Sequence, residues 1–299
     1  VRKALSIARF TARDEFAGLA DAELMARDVP DLDLYHPWDL DAEGAIAQAK
    51  ACEAAALALD ARVRNSEGAS VSTHRGLRVY GNTHGFIGGY PSPSHSVSCV
   101  VLAQDGDDMQ RDYWYDSARA AADLQAVEDI GRRAARRVVE RLGARKLATR
   151  TAPVLFVPDI ARGLIGHFVS AIRGGAQYRR STFLLGAAGE RLFPSWLSLR
   201  ERPRLPRALG SAPFDNDGVA TRERLLVDAG TLTGYVLDAY SARKLGLQTT
   251  GNAGGVHNLE LEGGGGDFAA LLQRLGTGLM VTELMGQGVN AVTGDYSRG

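Results

Sequence analysis

The chain has 299 residues, 45% of them hydrophobic, which is enough for one large domain or two ordinary ones. Its 35 Lys and Arg balance its 35 Asp and Glu, so the charge gives no reason to expect nucleic acid or an anionic membrane as the main partner. No run of about 18 apolar residues occurs to span a membrane, and the two cysteines, Cys52 and Cys99, lie in apolar surroundings that indicate a reducing compartment.

The first half of the chain is predicted to hold two helices with a small antiparallel sheet between them. Asp41 can cap a helix that continues to about Arg62, and a second helix runs from about Leu124 to Leu142, both with apolar residues at helical spacing. Between them, residues 70–115 alternate apolar and polar side chains and are interrupted by glycine turns, which predicts the sheet.

Glycine becomes more frequent after residue 150, with 11 of the 35 glycines before residue 151 and 24 after it. This shift predicts a domain boundary near residues 148–153, with strands and tight turns beyond it. The elements predicted there are a strand at 154–157, a helix capped by Asp159, a hairpin around 228–230, helices at 239–245 and after Asp267, and strands joined by glycine turns at 279–295.

The histidines show no metal-binding pattern. No two of the six are spaced for one face of a helix, and no His-Glu pair exists. His74, His84 and His95 fall in the predicted sheet region, but His95 lies in a Pro- and Ser-rich stretch that indicates a loop. Ordinary surface or turn histidines are therefore favoured over a metal site.

Other catalytic and binding signatures are weak. No Gly-x-Ser-x-Gly elbow occurs, and the glycine run at 263–266 lacks the Lys and Ser/Thr of a phosphate loop, so it indicates a connector. Seven basic residues between Arg132 and Lys146 lie on the polar face of one helix with no aromatics among them. This favours a solvated or subunit-contacting face over nucleic-acid binding.

Short motifs occur in order along nearly the whole chain. They lie at residues 35–38, 52–55, 66–70 and 130–134 in the first half, and at 213–218, 240–247, 250–253, 281–290 and 293–299 in the second. Together they resemble the PmbA/TldD family of bacterial peptide-processing proteins, and more closely its PmbA (TldE) branch, which lacks a zinc-binding peptidase motif.

The resemblance implies an α+β protein. Residues 1–150 would be the remainder of an N-terminal α/β domain, and residues 151–299 a C-terminal domain of curved, largely antiparallel β-sheet with short helices. Family members extend beyond this chain at both ends, so we expect it to be a segment of a longer protein. A cytoplasmic location is also implied.

The zinc-binding branch carries His-Glu-x-x-x-His on the helix that corresponds to the one after Asp159, which supplies two ligands and a general base. Here His167 stands at the first ligand position, while Phe168 replaces the Glu and Ile172 replaces the second His. Phe and Ile can neither bind zinc nor move a proton. The resemblance therefore implies no catalytic residue and no metal in this chain, with zinc held by a partner.

The resemblance thus implies a non-zinc partner subunit of a heterodimeric metallopeptidase that trims unfolded peptides, with microcin-type peptide maturation and antitoxin turnover as its work. Its partners would be a zinc-bearing TldD-like subunit and the peptide, with a homodimer when it is alone. The candidate substrate-binding residues are Phe214, Asp215, Ser241, Arg243, Gly251, Asn252 and His167. Residues 215–218 and 251–252 are open to a purely structural alternative, a turn and a tight loop.

Two rival functions remain. One is a stand-alone peptidase or other hydrolase with an unrecognised site. The other is a non-enzymatic regulatory binding protein, such as a modulator of DNA gyrase.

Overall fold

The computed structural model describes residues 2–286 and 288–298, and its helices and mostly antiparallel sheets form the α+β fold expected. Its helices are α1 (Arg2–Phe10), α2 (Ala42–Leu57), α3 (Val127–Glu140), α4 (Pro158–Ala171), α5 (Gly174–Tyr178), α6 (Ala239–Lys244) and α7 (Phe268–Leu275), with 3₁₀ turns at Ala22–Leu24 and Ala121–Asp123. Its strands are β1 (Val63–His74), β2 (Leu77–Gly81), β3 (Ile87–Pro91), β4 (Ser94–Asp105), β5 (Asp108–Ala118), β6 (Val154–Phe156), β7 (Ser198–Glu201), β8 (Arg224–Asp228), β9 (Thr231–Leu232), β10 (Leu259–Glu262), β11 (Leu279–Val281), β12 (Gly288–Val289) and β13 (Tyr296–Ser297). Gln287 and Gly299, which belong to the motifs near the end of the chain, lie outside the described residues, as does Val1.

The first half is a two-layer structure. An antiparallel sheet in the order β1-β4-β5 packs one face against α2 and α3. Along β4 every second side chain is buried, as expected for a strand with one face on a core. The predicted sheet and both helices are confirmed, although α2 ends at Leu57 and α3 begins at Val127, so each is shorter than predicted.

His95 is a correction to the sequence analysis, because it lies in β4 rather than in a loop. Its side chain is completely buried, with Nδ1 2.9 Å from Thr73 Oγ1 and Nε2 2.8 Å from the carbonyl oxygen of His36. The Pro- and Ser-rich stretch before it connects β3 to the start of β4, and Pro is tolerated there because it precedes the strand's ladder of hydrogen bonds.

The two cysteines lie in the core between α2 and β4, and both are free thiols. A hydrogen bond with the Cys99 thiol, together with burial, raises the pKa of Cys52 far above its usual value. Both therefore behave as buried apolar side chains rather than as reactive groups.

Gly131 allows α2 and α3 to pack closely. A Cβ at this position would lie 2.0 Å from the carbonyl oxygen of Cys52, a backbone atom that cannot move aside without shifting the helix. Gly163, in α4, is also helical but has no atom near its missing Cβ.

These two glycines predict substitutions of opposite sign. We expect Gly131→Ala to lower the free energy of unfolding by about 1–3 kcal/mol through overpacking. Gly163→Ala is expected to raise it by about 0.5–1 kcal/mol, because alanine restricts the unfolded chain and favours helix. Urea denaturation of both variants measures the difference, and equal effects of one sign would contradict the close packing of α2 on α3.

Several basic residues of α3 and of the turn after it make contacts within the chain. Arg133 lies over the Trp114 ring with its guanidinium carbon 3.5 Å from the ring centroid. Arg137 and Arg141 are 3.3 and 3.6 Å from the buried carboxylate of Asp112, and Arg141 also pairs with Glu283. These three of the seven basic residues are thus held by intramolecular contacts, and the interpretation that the run is not a nucleic-acid patch stays a prediction.

The second half is built on an antiparallel sheet in the order β10-β7-β8-β9, with α4 packed into the same apolar core. The predicted turn at residues 228–230 joins β8 to β9 as a hairpin. A separate pair, β11 and β6, is parallel. The predicted boundary near residues 148–153 falls in a stretch without helix or strand and stays a prediction.

The start of α4 is a second correction. Asp159 does not cap this helix: Val157 occupies the N-cap position without a side-chain bond, and Pro158 is the first helical residue. Proline suits that position because its missing N–H would have no partner there. Asp159 lies in the first turn instead, where its negative charge is favourable to the helix dipole.

The segment before α2 packs onto the second half. Ala20 and Met25 form a small core with Val219 and Ala239, and Met25 makes a β-bridge with Val219. No helix in the described ranges, 2–286 and 288–298, is long and apolar enough to cross a membrane.

Candidate functional site

An apolar cleft of about 350 Å³ lies along α4, the helix singled out by the zinc-motif comparison. The helix forms one wall, the loop at 183–193 the second, and the segment at 289–296 the third. The lining residues are Leu164, His167, Phe168, Ser170, Ala171, Phe183, Leu184, Leu192, Phe193, Val289, Asn290, Ala291, Gly294 and Tyr296. Most of these side chains are apolar, so the cleft suits the apolar side chains of a ligand.

His167 is the basic group of this cleft. Its ring meets the Tyr296 ring edge to face, with centroids 5.7 Å apart. Phe168 is 9% exposed and packs edge to face on Phe193 at 5.0 Å. The residue beside the histidine therefore extends the apolar wall, where the zinc branch has a glutamate.

Ile172 does not line the cleft. It follows the last residue of α4 and is completely buried in the core with Leu226 and Val227. Its side chain therefore lies in the core rather than in the cleft that His167 lines.

These residues do not fit a zinc ion. Zinc in proteins is held by at least three nitrogen, sulfur or oxygen ligands. Beside His167, the positions that carry the other groups of the zinc motif hold Phe168 and Ile172, and nowhere in the described part of the chain do three His, Cys, Asp or Glu side chains converge on one point. What α4 and its surroundings can do chemically is bind apolar groups.

A buried polar network is centred on Glu201 at the end of β7. Its side chain is 1% exposed and accepts hydrogen bonds from Asn252 Nδ2 at 2.7 Å, Arg224 Nε at 3.0 Å, and the backbone N–H of His257 at 2.8 Å. Nδ1 of His257 is 3.0 Å from the same carboxylate. Burial raises the pKa of Glu201, but the bonds from His257 and the charge of Arg224 outweigh it and lower the pKa overall.

Asn252 belongs to this network. Its side-chain oxygen accepts hydrogen bonds from Arg224 Nη2 at 2.9 Å and Thr250 Oγ1 at 2.7 Å, and the residue is 4% exposed. Gly251 precedes it with φ +73°, and a Cβ there would lie 2.9 Å from the carbonyl oxygen of Ala220. Both residues are built into a tight loop.

Phe214 and Asp215 lie beside that loop. Phe214 is completely buried and meets the Phe86 and Tyr90 rings edge to face at 5.3 and 5.2 Å. Asp215 is 2% exposed. Its carboxylate accepts hydrogen bonds from three backbone N–H groups, those of Asp217, Val219 and Ala253. The last of these bonds connects the turn at 215–218 to the loop at 251–253.

Ser241 and Arg243 lie on α6, whose first residue, Ala239, donates its backbone N–H to Asp217 of the turn at 215–218. Ser241 is 2% exposed and its backbone N–H is capped by Asp238. Arg243 binds the N-terminal segment, through the carbonyl oxygen of Leu19 at 2.5 Å and Asp21 Oδ1 at 2.7 Å.

The structure thus brings Phe214, Asp215, Gly251 and Asn252 into one region and places His167 in the cleft. The helix that carries Ser241 and Arg243 is bonded to the turn of the first region through Ala239 and Asp217. Their substrate-binding roles stay predictions. Glu201, Arg224 and Tyr296 were not among the residues predicted from the sequence. Glu201 ends a short strand with one apolar residue, Ser198–Glu201, so no local signal indicated it or its partners.

Comparisons with known proteins find the same family in both halves of the chain. A model of the PmbA/TldA metallopeptidase central domain matches residues 35–142, and one of the C-terminal domain of the same family matches residues 149–299. Metalloprotease PmbA of Escherichia coli O157:H7 is 52% identical over 299 residues, which cover 100% of this chain and 66% of that protein.

Two further proteins are similar over the whole chain. The metalloprotease PmbA homolog of Haemophilus influenzae is 48% identical over 303 residues, which cover 100% of this chain and 66% of that protein. A crystal structure from Bacteroides thetaiotaomicron, of a proposed modulator of DNA gyrase, matches with a TM-score of 0.93 and 30% identity, over 100% of this chain and 68% of that one. The chain spans 66% of the length of the curated relatives it matches.

Proposed function

This chain belongs to the PmbA/TldD family of metallopeptidases, and from that premise we propose that it is the non-zinc partner subunit of a heterodimeric peptidase. The zinc-bearing TldD-like subunit carries out hydrolysis, and this chain contributes shape and binding. The substrates are unfolded peptides, with microcin-type peptide maturation and antitoxin turnover as the processes served. The complex works in the cytoplasm.

One observation carries this proposal, the apolar cleft along α4. The helix that would supply zinc ligands and a general base instead presents His167 with Phe168 to an aromatic wall and buries Ile172. A cleft of this character supports binding of apolar side chains, which unfolded peptides expose and folded proteins bury.

The main chain of a peptide can be held next to this cleft. Val289 of β12 lines the cleft, and among the described residues β12 pairs only with β13. A strand with one free edge can accept an extended peptide through backbone hydrogen bonds, which do not depend on the peptide's sequence. This is the recognition expected of a subunit that handles varied unfolded substrates.

Co-purification with a zinc-bearing family member from the same cell, followed by peptide cleavage, tests the proposal. We expect the mixture to cleave an unfolded peptide and the zinc subunit alone to cleave it at least about tenfold more slowly, a loss of about 1.4 kcal/mol in transition-state binding. If the zinc subunit alone cleaves as well as the mixture, this chain is not a working partner.

A matched pair of variants on α4 assigns the effect to the cleft. Ser170 lines the cleft, whereas Gly163 lies on the same helix with open space around it. Ser170→Trp is expected to fill the cleft and lower cleavage by the mixture, and Gly163→Trp, which adds the same side chain elsewhere, is expected to leave it unchanged.

The same preparation separates the two rival functions. Cleavage by this chain alone, lost on adding a chelator, would indicate a stand-alone metallopeptidase. Salt-resistant binding to DNA gyrase without the zinc subunit would instead favour a regulatory protein, the role given to the similar Bacteroides protein.

A further inference from the structure

A second, polar cavity lies at the junction between the hairpin β2–β3 and the loops of the second half, apart from the α4 cleft. Its volume is about 320 Å³. The residues that give it chemical character are Arg78 and Tyr90 of the hairpin, Arg119 just after β5, and Asp215, Asn216 and His257. We call it the Arg119 cavity.

Arg119 is a buried cation without a buried anion. The residue is 4% exposed, and its guanidinium donates hydrogen bonds only to carbonyl oxygens, those of Ala208 at 3.1 and 3.0 Å, Leu209 at 2.8 Å and Pro93 at 3.4 Å. Within the described ranges no carboxylate lies within 4.0 Å of it. Burial lowers its pKa because the charged form loses hydration.

One N–H group of Arg119 has no hydrogen-bond acceptor among the described residues. A guanidinium has five N–H groups. The four carbonyl contacts account for Nε, both hydrogens of Nη2 and one of Nη1, so that the second hydrogen of Nη1 has no acceptor among the residues described. A buried charge in this condition is costly unless a further acceptor, preferably an anion, completes it.

The other groups of the cavity add positive charge and donors. Arg78 is exposed; it donates to Asn216 Oδ1 through one Nη and also lies close enough to the Tyr90 phenol to act on its pKa. Tyr90 is held by its edge-to-face contact with Phe214. Burial raises the pKa of Tyr90, with Arg78 and Arg119 acting in the opposite direction, so the phenol keeps its proton near neutral pH and can donate it.

The one carboxylate that lines the cavity does not neutralise these guanidiniums. The oxygens of Asp215 accept the N–H groups of Asp217, Val219 and Ala253 and are committed to that turn. Nδ1 of His257 is held by Glu201, which leaves its Nε2 as the atom available to a ligand. Two guanidiniums and one carboxylate leave the cavity with a surplus positive charge.

We infer that the Arg119 cavity binds a carboxylate. A carboxylate has two oxygens, of which one can accept the remaining N–H of Arg119 and the other an N–H of Arg78. The volume is at the small end of ligand sites and admits a carboxylate with about one residue attached. The identity of this carboxylate rests on the proposed function. It is the C-terminal carboxylate of the peptide substrate, and the cavity holds that end while the rest of the peptide extends to the catalytic subunit.

Fluorescence anisotropy on the full chain, without the zinc subunit, tests this inference. The probe is an N-terminally labelled unfolded peptide in two forms, with a free C-terminal acid and with a C-terminal amide. We expect the acid to bind at least about tenfold more tightly than the amide, which corresponds to about 1.4 kcal/mol. Equal affinities of the two forms, or no binding of either, would overturn the inference.

Variants and competitors identify the site. Arg119→Gln is expected to abolish the preference for the acid, and Arg78→Gln, at an exposed position that does not brace the fold, is expected to reduce it. Arg64→Gln removes an exposed arginine far from the cavity and is expected to change nothing. If Arg78→Gln keeps the full preference while the chain stays folded, the cavity is not the site.

Competition distinguishes the source of the carboxylate. N-acetylglycine is expected to displace the acid peptide, since it carries the same terminal group. Stronger displacement by inorganic phosphate would contradict the carboxylate assignment. This inference can fail while the proposed function holds. If the mixture of the two subunits cleaves acid and amide peptides equally well, this chain is still a partner subunit, but it does not bind the C-terminal carboxylate.

Discussion

Glu201→Gln is expected to lower the free energy of unfolding by about 3–5 kcal/mol at neutral pH, because it removes one partner of a buried ion pair. The glutamine has nearly the same shape, so little cavity is created. It leaves Arg224 without its counter-ion, and its amide N–H₂ replaces one of the oxygens that accept from Arg224, Asn252 and His257. Denaturation by urea, followed by circular dichroism, measures the loss.

Glu262→Gln is the matched control. Glu262 lies on β10, next to β7 in the same sheet, and pairs with Arg200 at 2.6 Å, but its side chain is 42% exposed. Surface pairs of this kind contribute little to stability, because water and salt screen the two charges. Similar losses for the two variants would mean that the burial of the Glu201 network does not matter.

The pH dependence has a definite sign. The pKa of Glu201 is lowered in the folded state, so its stabilising contribution is fully present above the ordinary glutamate value of 4.5 and is lost as the pH falls through the lower folded value. The difference in stability between wild type and Glu201→Gln should therefore be constant near neutrality and shrink below pH 4.5. An undiminished difference in strong acid would contradict the role of the ionised carboxylate.

The second prediction concerns restoration of the zinc motif. The double variant Phe168→Glu with Ile172→His creates the sequence His-Glu-x-x-x-His at residues 167–172. We nevertheless expect it to bind no stoichiometric zinc and to cleave no peptide. Ile172 is completely buried in the core and does not line the cleft, so an imidazole there cannot reach an ion held by His167. Equilibrium dialysis with zinc, read by elemental analysis, measures the result.

The single variants separate stability from ligation. Ile172→His is expected to lower the free energy of unfolding by about 3–5 kcal/mol, from lost apolar packing and a buried polar ring. Phe168→Glu is also expected to lower it, because the glutamate loses the packing on Phe193 and places a carboxylate among apolar side chains. A folded double variant with one tightly bound zinc would show that the backbone of α4 rearranges to form the site.

The sequence alone predicted the elements whose signals are local. The alternation along β4 indicated a sheet, Asp41 and Asp267 were expected to cap helices and do so, and the motifs spread along the chain indicated the family. The replacement of zinc ligands by Phe168 and Ile172 was equally visible, because it depends only on which atoms those side chains carry.

Other features depend on residues far apart in the chain. His95 was expected in a loop because Pro and Ser surround it. It lies in a strand because it pairs with Thr73 of β1, a contact that the local sequence does not show. Asp159 was expected to cap a helix that Pro158 begins instead. In both cases tertiary context decided between local alternatives that are close in energy.

The sequence by itself thus determined that this chain belongs to a peptidase family and that α4 lacks the atoms of a zinc site. Only the tertiary structure decided what replaces that chemistry. Glu201, Arg224 and Asn252 lie more than 20 residues apart and are ordinary polar residues until folding removes water from around them. The proposed role of Arg119 likewise depends on the fold. Burial places its guanidinium among carbonyl oxygens with no carboxylate partner, and the free energy of a charge depends on such surroundings.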